Sequence, residues 1–211
     1  MRGEKMKKDT IIAIIRGVDP SHVVEITQAL LDSGISWLEV SLSEEEKGLE
    51  CIRRISQAFP NQVHLGVGTV STPSQVDASL KAGANYIITP GWDRELAKYV
   101  RSKKVTMFPG VFSPGEIMQA ASLGIDTVKL FPVVNLGTSF IKNVSGPFPR
   151  MNWMAVGGVN KRNILELRSA GCSSFAIGSE LVPRGATTDH LEAIKQAAIS
   201  FQQLLLEECI N

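Results

Sequence analysis

One short phrase recurs along this chain and limits its fold more than any other feature. Each copy opens on a residue suited to start a helix, carries apolar residues at helical spacing, and closes on glycine. Asp19-Pro20 opens a copy that Gly34 closes. Thr72-Pro73 and Gly83 bound a second, and Ser113-Pro114 and Gly124 a third, with Glu116 placed to complete a capping box. Asn160 and Gly171 bound a version without the proline. Polar caps satisfy free N–H groups of the first turn, and proline loses nothing at the first helical position. Glycine just past the last turn takes the left-handed conformation at little cost. Between these marks Val23, Ile26 and Leu30 keep the spacing of one helix face.

Each closing glycine is followed by a short apolar run. Trp37–Val40, Tyr86–Thr89, Thr127–Leu130 and Ser174–Ile177 are rich in β-branched and aromatic residues and read as buried strands. Ile11–Ile15, Val63–Val67, Val105–Phe108 and Asn152–Val156 complete a set of eight, with centres 20 to 27 residues apart. Each step holds one strand, one helix and two short loops. Eight such units predict an α/β fold, a single (β/α)8 TIM barrel over residues 1–211. A doubly wound open sheet is the alternative. It rarely needs eight equal units, and no GxGxxG follows the first strand. Gly66-Val67-Gly68 is only GxG. A last helix from about Thr188 to Glu208 is long enough to cover the barrel or a neighbouring subunit.

Composition narrows the class. At 211 residues one core suffices, and 44% hydrophobic content is that of an ordinary globular chain. A formal net charge of +1 argues against nucleic-acid or membrane-surface partners. Cys51, Cys172 and Cys209 stand far apart with no CxxC pair, and read as single thiols in a reducing cytoplasm. Met1–Thr10 is charged and lacks the apolar stretch of a signal peptide, and no window reaches the length of a membrane span. The expectation is a cytoplasmic chain.

Strand alternation picks out polar residues where a barrel interior should be dry. If Val128 and Leu130 face the helices, Lys129 points inward. If Leu38 and Val40 do the same, Trp37, Glu39 and Ser41 face in. Ile12, Ile14 and Arg16 share a face, with Arg16 at its upper end. Arg16, Glu39 and Lys129 are thus candidates to converge on one cavity at the strand C-termini, where barrels carry their chemistry. Burial there lowers a lysine pKa and raises a glutamate pKa. Such shifts suit a nucleophilic amine and a carboxylate proton shuttle. A structural ion pair is the bland alternative, and a poor way to gain stability.

Gly157-Gly158 follows the seventh strand and Gly178-Ser179 the eighth. Those two loops commonly bind phosphate in barrels, through backbone N–H groups that glycine leaves accessible. Tight turns alone would also explain these glycines. His22, His64 and His190 are scattered without metal-ligand spacing. The first and last read as surface helix residues, and His64 as a core residue below the catalytic end. Glu44-Glu45-Glu46 reads as a solvated helix start. Met151, Trp153 and Met154 read as packing.

These residues fall in blocks that resemble the class I aldolases acting on 2-keto-3-deoxy-6-phospho sugar acids. The blocks are IIAIIRG (11–17), LEVSL (38–42), GVGTV (66–70), ITPG (88–91), FPG (108–110), VKLFP (128–132), AVGGV (155–159) and IGS (177–179). They keep the family's order over nearly the whole chain. The resemblance implies that Lys129 is the Schiff-base lysine and Glu39 the acid/base. It implies that Thr69 helps hold the pyruvyl carboxylate and that Gly157, Gly158, Gly178 and Ser179 hold the phosphate. It places Arg16, Ser43, Pro90, Phe131 and Val156 around the substrate. It implies a homotrimer acting on a small 2-keto acid phosphate without metal or organic cofactor.

Two departures accompany it. The phosphogluconate members carry an arginine where Ser43 stands, and Arg16 is the candidate replacement. Gluconate-type enzymes carry threonine before the glycine pair, whereas Val156 resembles the galactonate type. Arg16 and Val156 together lean toward the galactonate epimer. A 4-hydroxy-2-oxoglutarate aldolase, a phosphate-binding barrel isomerase and a non-catalytic sugar-phosphate sensor are the alternatives.

Overall fold

Pro109 decides how the barrel closes. Proline has no N–H to give a ladder, so the fifth strand is built in two pieces. The structure, a computed structural model, describes residues 6–207. Its elements run β1 (Thr10–Ile15), α1 (Val23–Asp32), β2 (Trp37–Ser41), α2 (Glu45–Ala58), β3 (His64–Gly68), α3 (Pro73–Ala82), β4 (Tyr86–Ile88), α4 (Arg94–Ser102) and β5 (Thr106–Phe108). They continue β6 (Gly110–Val111), α5 (Pro114–Ser122), β7 (Thr127–Leu130), α6 (Val133–Ser145), β8 (Asn152–Val156), α7 (Ile164–Ala170) and β9 (Cys172–Ile177). A 3₁₀ turn at Thr188–His190 leads into α8 (Leu191–Glu207).

Every strand pairing is parallel, in the order β5-β4-β3-β2-β1-β9-β8-β7-β6. β5 pairs with β4 and β6 with β7, so the two ends of the sheet meet through Pro109. The result is a nearly closed barrel of eight staves, the fifth made of β5 and β6. Backbone bonds still cross the seam, with Lys129 N–H donating to Pro109 O at 2.9 Å, and the Thr89 side chain adds to them. Thr89 Oγ1 accepts from Gly110 N (3.2 Å), and the same hydroxyl donates to Gly91 O (2.7 Å).

The helix signals in the sequence separate into two groups. Thr72 accepts from Gln75 N as the cap of α3. Ser113 and Glu116 form the full capping box of α5. Asp19 and Asn160, by contrast, are not caps. Their side chains accept from the backbone N–H two residues on, at Ser21 and Arg162, which makes local turns. α1 therefore begins only at Val23, and α7 only at Ile164. Val23, Ile26 and Leu30 are buried as their spacing requires, each stabilising by about 1.5–3 kcal/mol. Glu208 and Cys209 lie outside the described residues; Cys51 and Cys172 are buried free thiols. Among the described residues no helix is long and apolar enough to cross a membrane.

Alternation produces two apolar shells. The larger lies between strands and helices and takes Ile11, Ala13, Ile15, Leu38, Val40, Val128 and Leu130. Trp153 joins it, while Met154 faces the other way. The smaller shell fills the barrel with Ile12, Ile14, Tyr86, Ile88, Phe108, Met154, Val156 and Ala176. Toward its floor Trp37 stacks on His64 with ring centroids 4.1 Å apart. Tyr86 sits 5.3 Å from Trp37 and 5.4 Å from Phe108. Its buried hydroxyl donates to Leu38 O at 2.7 Å. His64 is thus a core residue, as its position in the third strand suggests.

Gly66 makes room for this aromatic column. A Cβ there would stand 2.0 Å from the Tyr86 ring. Gly66→Ala is expected to lower unfolding free energy by about 1–3 kcal/mol through overpacking. Urea unfolding checks this, and an unchanged midpoint contradicts it.

Candidate active site

Glu39 and Lys129 share the upper end of the barrel. Both lie on the inward faces of their strands, β2 and β7, and both are buried, at 2% and 5% exposure. Gly68 provides the space for the carboxylate: a Cβ there would meet Glu39 Oε1 at 1.7 Å. The two inward glycines of the GxG sequence are therefore spaces for Tyr86 and Glu39. Glu39 Oε2 is buried and has no hydrogen-bond partner among the described residues. A buried oxygen of this kind carries a desolvation cost until something donates to it.

Burial governs both ionisations. Desolvation raises the Glu39 pKa above its usual value, against the pull of Lys129 and then of Arg16. Desolvation lowers the Lys129 pKa, opposed by Glu39 and assisted by Arg16. The shifts run toward each other, so the uncharged amine and the protonated acid are both more accessible than in water. Lys129 Nζ lies 4.5 Å from the centroid of the Phe131 ring, which flanks it on the next turn of chain.

Other predicted residues surround this pair at different depths. Arg16 follows β1 and is exposed at the mouth, close enough for its charge to act on both groups. Thr69 follows β3 and is half-buried with φ +64°, a left-handed conformation rare for a β-branched residue. Its hydroxyl lies 3.1 Å from Ser41 Oγ. Ser43 is exposed, and its backbone N–H donates to Ser41 Oγ at 3.3 Å. Pro90 is exposed above the seam, where its carbonyl would lie 2.5 Å from a Cβ on Gly110. Val156 is buried in the inner shell.

The four phosphate candidates end β8 and β9. Gly157 and Gly158 have φ +88° and +83°, conformations that glycine adopts without strain. A Cβ on Gly157 would reach the Phe131 ring at 3.0 Å, and one on Gly158 would reach Val134 at 2.5 Å. Gly178 starts a tight turn whose carbonyl accepts from Leu181 N and Val182 N at 2.8 and 2.9 Å. Ser179 is exposed at that turn. Among the described residues no group of three or more His, Cys, Asp or Glu side chains could hold a metal ion. Sequence reasoning did not single out Ser41 beyond its inward face, nor Gly68 and Thr89. The inward period marks Ser41, while the Gly68–Glu39 fit and the Thr89 bridge become visible only in three dimensions.

Comparison with known proteins gives a consistent result. The family model for KDPG and KHG aldolases matches residues 3–197. The chain is 37% identical over 175 residues to 2-dehydro-3-deoxy-phosphogluconate aldolase of Pseudomonas aeruginosa, covering 82% of this chain and 77% of that protein. It is 30% identical over 192 residues to 2-dehydro-3-deoxy-6-phosphogalactonate aldolase of Escherichia coli, covering 90% and 92%. A solved structure described as native KDPGal superposes with a TM-score of 0.88 at 28% identity, covering 99% and 100% of the two chains.

The Glu39 shift fixes the sign of a pH effect. Its native pKa lies above 4.5, so just above pH 4.5 the native state holds a proton that the unfolded state has released. This contribution to stability is present at low pH and lost as pH rises through the native pKa. Wild-type stability should therefore fall relative to Glu39→Gln as pH rises from about 4.5 toward neutrality. Urea unfolding of both proteins across that range is the check; a constant difference contradicts it.

Proposed function

Because the chain belongs to the KDPG and KHG aldolase family, whose members are lyases, we propose that it is a class I aldolase working through Lys129. Its substrate is a 2-keto-3-deoxy-6-phospho sugar acid, and its products are pyruvate and glyceraldehyde 3-phosphate. One observation carries this reading: a buried carboxylate and a buried amine share the barrel mouth, each displaced by burial toward its uncharged form.

Neutral Lys129 attacks the C2 ketone of the keto acid. The carbinolamine takes up a proton from solvent and loses water to give an iminium, a better electron sink than the ketone, and that proton is returned when the iminium is later hydrolysed. Glu39, through a water, accepts the C4 hydroxyl proton as the C3–C4 bond breaks. The aldehyde fragment departs and an enamine remains on Lys129. Protonation of that enamine with the help of Glu39, then hydrolysis, frees pyruvate and restores the amine. Each step uses only water and the chain's own groups. The unpartnered Glu39 Oε2 supports the assignment, since the bridging water or the substrate hydroxyl would satisfy it.

Arg16 and Thr69 are assigned to the carboxylate. Arg16 places a cation at the mouth where Ser43 offers only a small hydroxyl. Gly157, Gly158, Gly178 and Ser179 are assigned to the phosphate, at the ends of β8 and β9, the latter paired with β1 below Arg16, with backbone N–H groups as donors. Phe131 flanks the amine, and Pro90 borders the opening. A homotrimer is the assembly this reading carries. Exposed Phe112 and Met118, both on the β6–α5 unit, are apolar surface that an assembly would cover.

Trapping tests the lysine. Incubation with pyruvate and borohydride is expected to leave a reduced pyruvyl adduct on the peptide holding Lys129, identified by mass spectrometry. A folded protein in excess pyruvate with no adduct overturns the reading. Glu39→Gln should still trap pyruvate but lower kcat by about 10²–10⁴-fold. The epimer is tested separately. Val156 has no hydroxyl to offer the substrate, which favours the galactonate type. Side-by-side cleavage should give the higher kcat/KM with the galactonate substrate, and Val156→Thr should move the ratio toward gluconate. A ratio that Val156→Thr leaves unchanged removes Val156 from epimer choice.

A further inference from the structure

Ser41 is a buried hydroxyl beside the reacting pair that the mechanism above does not use. It shares the inward face of β2 with Glu39 and is 3% exposed. Its oxygen has two neighbours: the backbone N–H of Ser43 donates to it at 3.3 Å, and the Thr69 hydroxyl lies 3.1 Å away. Either hydroxyl can donate across the second contact, and full pairing of the buried groups favours one direction. Ser43 N–H occupies the oxygen as a donor. The Ser41 proton then needs an acceptor, and among the described residues Thr69 Oγ1 is the one in reach. With Ser41 donating to Thr69, no buried proton is left without a partner. The Thr69 proton is then free, on a half-buried residue at the rim of the site.

The backbone points the same way. Thr69 is held at φ +64°, a left-handed conformation strained for a β-branched residue. Strain of that kind persists where surrounding contacts over-determine it, and it clusters at ligand clamps. Here it sets the Thr69 hydroxyl against Ser41.

We propose that Ser41 is a positioning residue for the carboxylate of the 2-keto acid: through a directed chain from Ser43 N–H to Ser41 O–H to Thr69 O–H, it presents the Thr69 proton to the anion. In the favoured direction each hydroxyl accepts from behind and donates ahead, so the last proton is polarised by those before it. A hydrogen bond to a charged acceptor is about twice as strong as one between neutral groups. The relay therefore favours an anionic keto acid over an uncharged ketone of the same size. The inference rests on the aldolase reading above and adds how the carboxylate is read.

Borohydride trapping on the full chain, titrated with pyruvate and separately with hydroxyacetone, tests it. Hydroxyacetone is a ketone of similar size without the charge. Ser41→Ala should raise the half-saturating pyruvate concentration about tenfold and leave that for hydroxyacetone within about twofold. Ser41→Thr should restore the wild-type value. Thr69→Val should give the same selective loss, and the double variant Ser41→Ala/Thr69→Val no further loss, since both act in one chain. If Ser41→Ala does not fold, Ser41→Cys keeps the volume with a weaker donor and carries the same comparison. Equal losses for both ketones, or no loss for either, overturn the relay and leave the aldolase reading standing. A folded wild-type protein that traps neither ketone overturns the aldolase reading, and the relay with it.

Discussion

The burial of Glu39 and Lys129 in one barrel mouth sets conditions that the surrounding residues meet one by one. A carboxylate and an amine taken out of water lose several kcal/mol of hydration each, and their mutual attraction seldom returns all of it. Space must be made, and Gly68 makes it by omitting the Cβ that would strike Glu39. Water must be kept out from below, and the inner apolar shell does so. A third charge must lie near enough to tune both groups without being buried itself, and exposed Arg16 satisfies that. The arrangement makes little sense as a device for stability. It makes sense where an amine must be neutral to attack and a carboxylate must take up a proton readily and give it back.

Most of the favourable energy lies elsewhere, in the larger shell between strands and helices. That separation lets the interior of the barrel depart from good packing rules at its upper end. Among the described residues one buried carboxylate oxygen lacks a partner, and a threonine adopts a left-handed backbone. The fifth stave follows the same division. Pro109 interrupts its ladder near the mouth, and the Thr89 hydroxyl spans the gap.

Much of this was legible in the sequence, and the physical reasons are specific. Strand periods of two put Glu39 and Lys129 on inward faces without any coordinates. Thr72 and Ser113 announced true caps because their hydroxyls reach the third N–H of the helix. Asp19 and Asn160 look the same in sequence, yet their side chains bind two residues ahead and delay the helix. Only the local backbone distinguishes those outcomes. The split at Pro109 was hidden because an apolar run gives no sign of which N–H groups the ladder needs. The Ser41–Thr69 contact joins residues 28 positions apart and depends on β2 and β3 lying side by side in register. Pattern along one strand could show that Ser41 faced inward, but not what it would meet there.

The aromatic floor has a consequence for traffic. Trp37, His64, Tyr86 and Phe108 close the lower barrel by ring contact, and Ile12, Ile14 and Met154 fill the space beside them. Among the described residues, a barrel stoppered in this way opens toward Glu39 and Lys129 from above. On the proposed chemistry, whatever is tethered to Lys129 sits behind whatever occupies the glycine turns at the rim. The outer fragment has to leave before the inner one can, and in the reverse direction the inner one has to enter first. Order of arrival and departure would then be a property of the plug, imposed by packing at the far end of the barrel from the reacting bond.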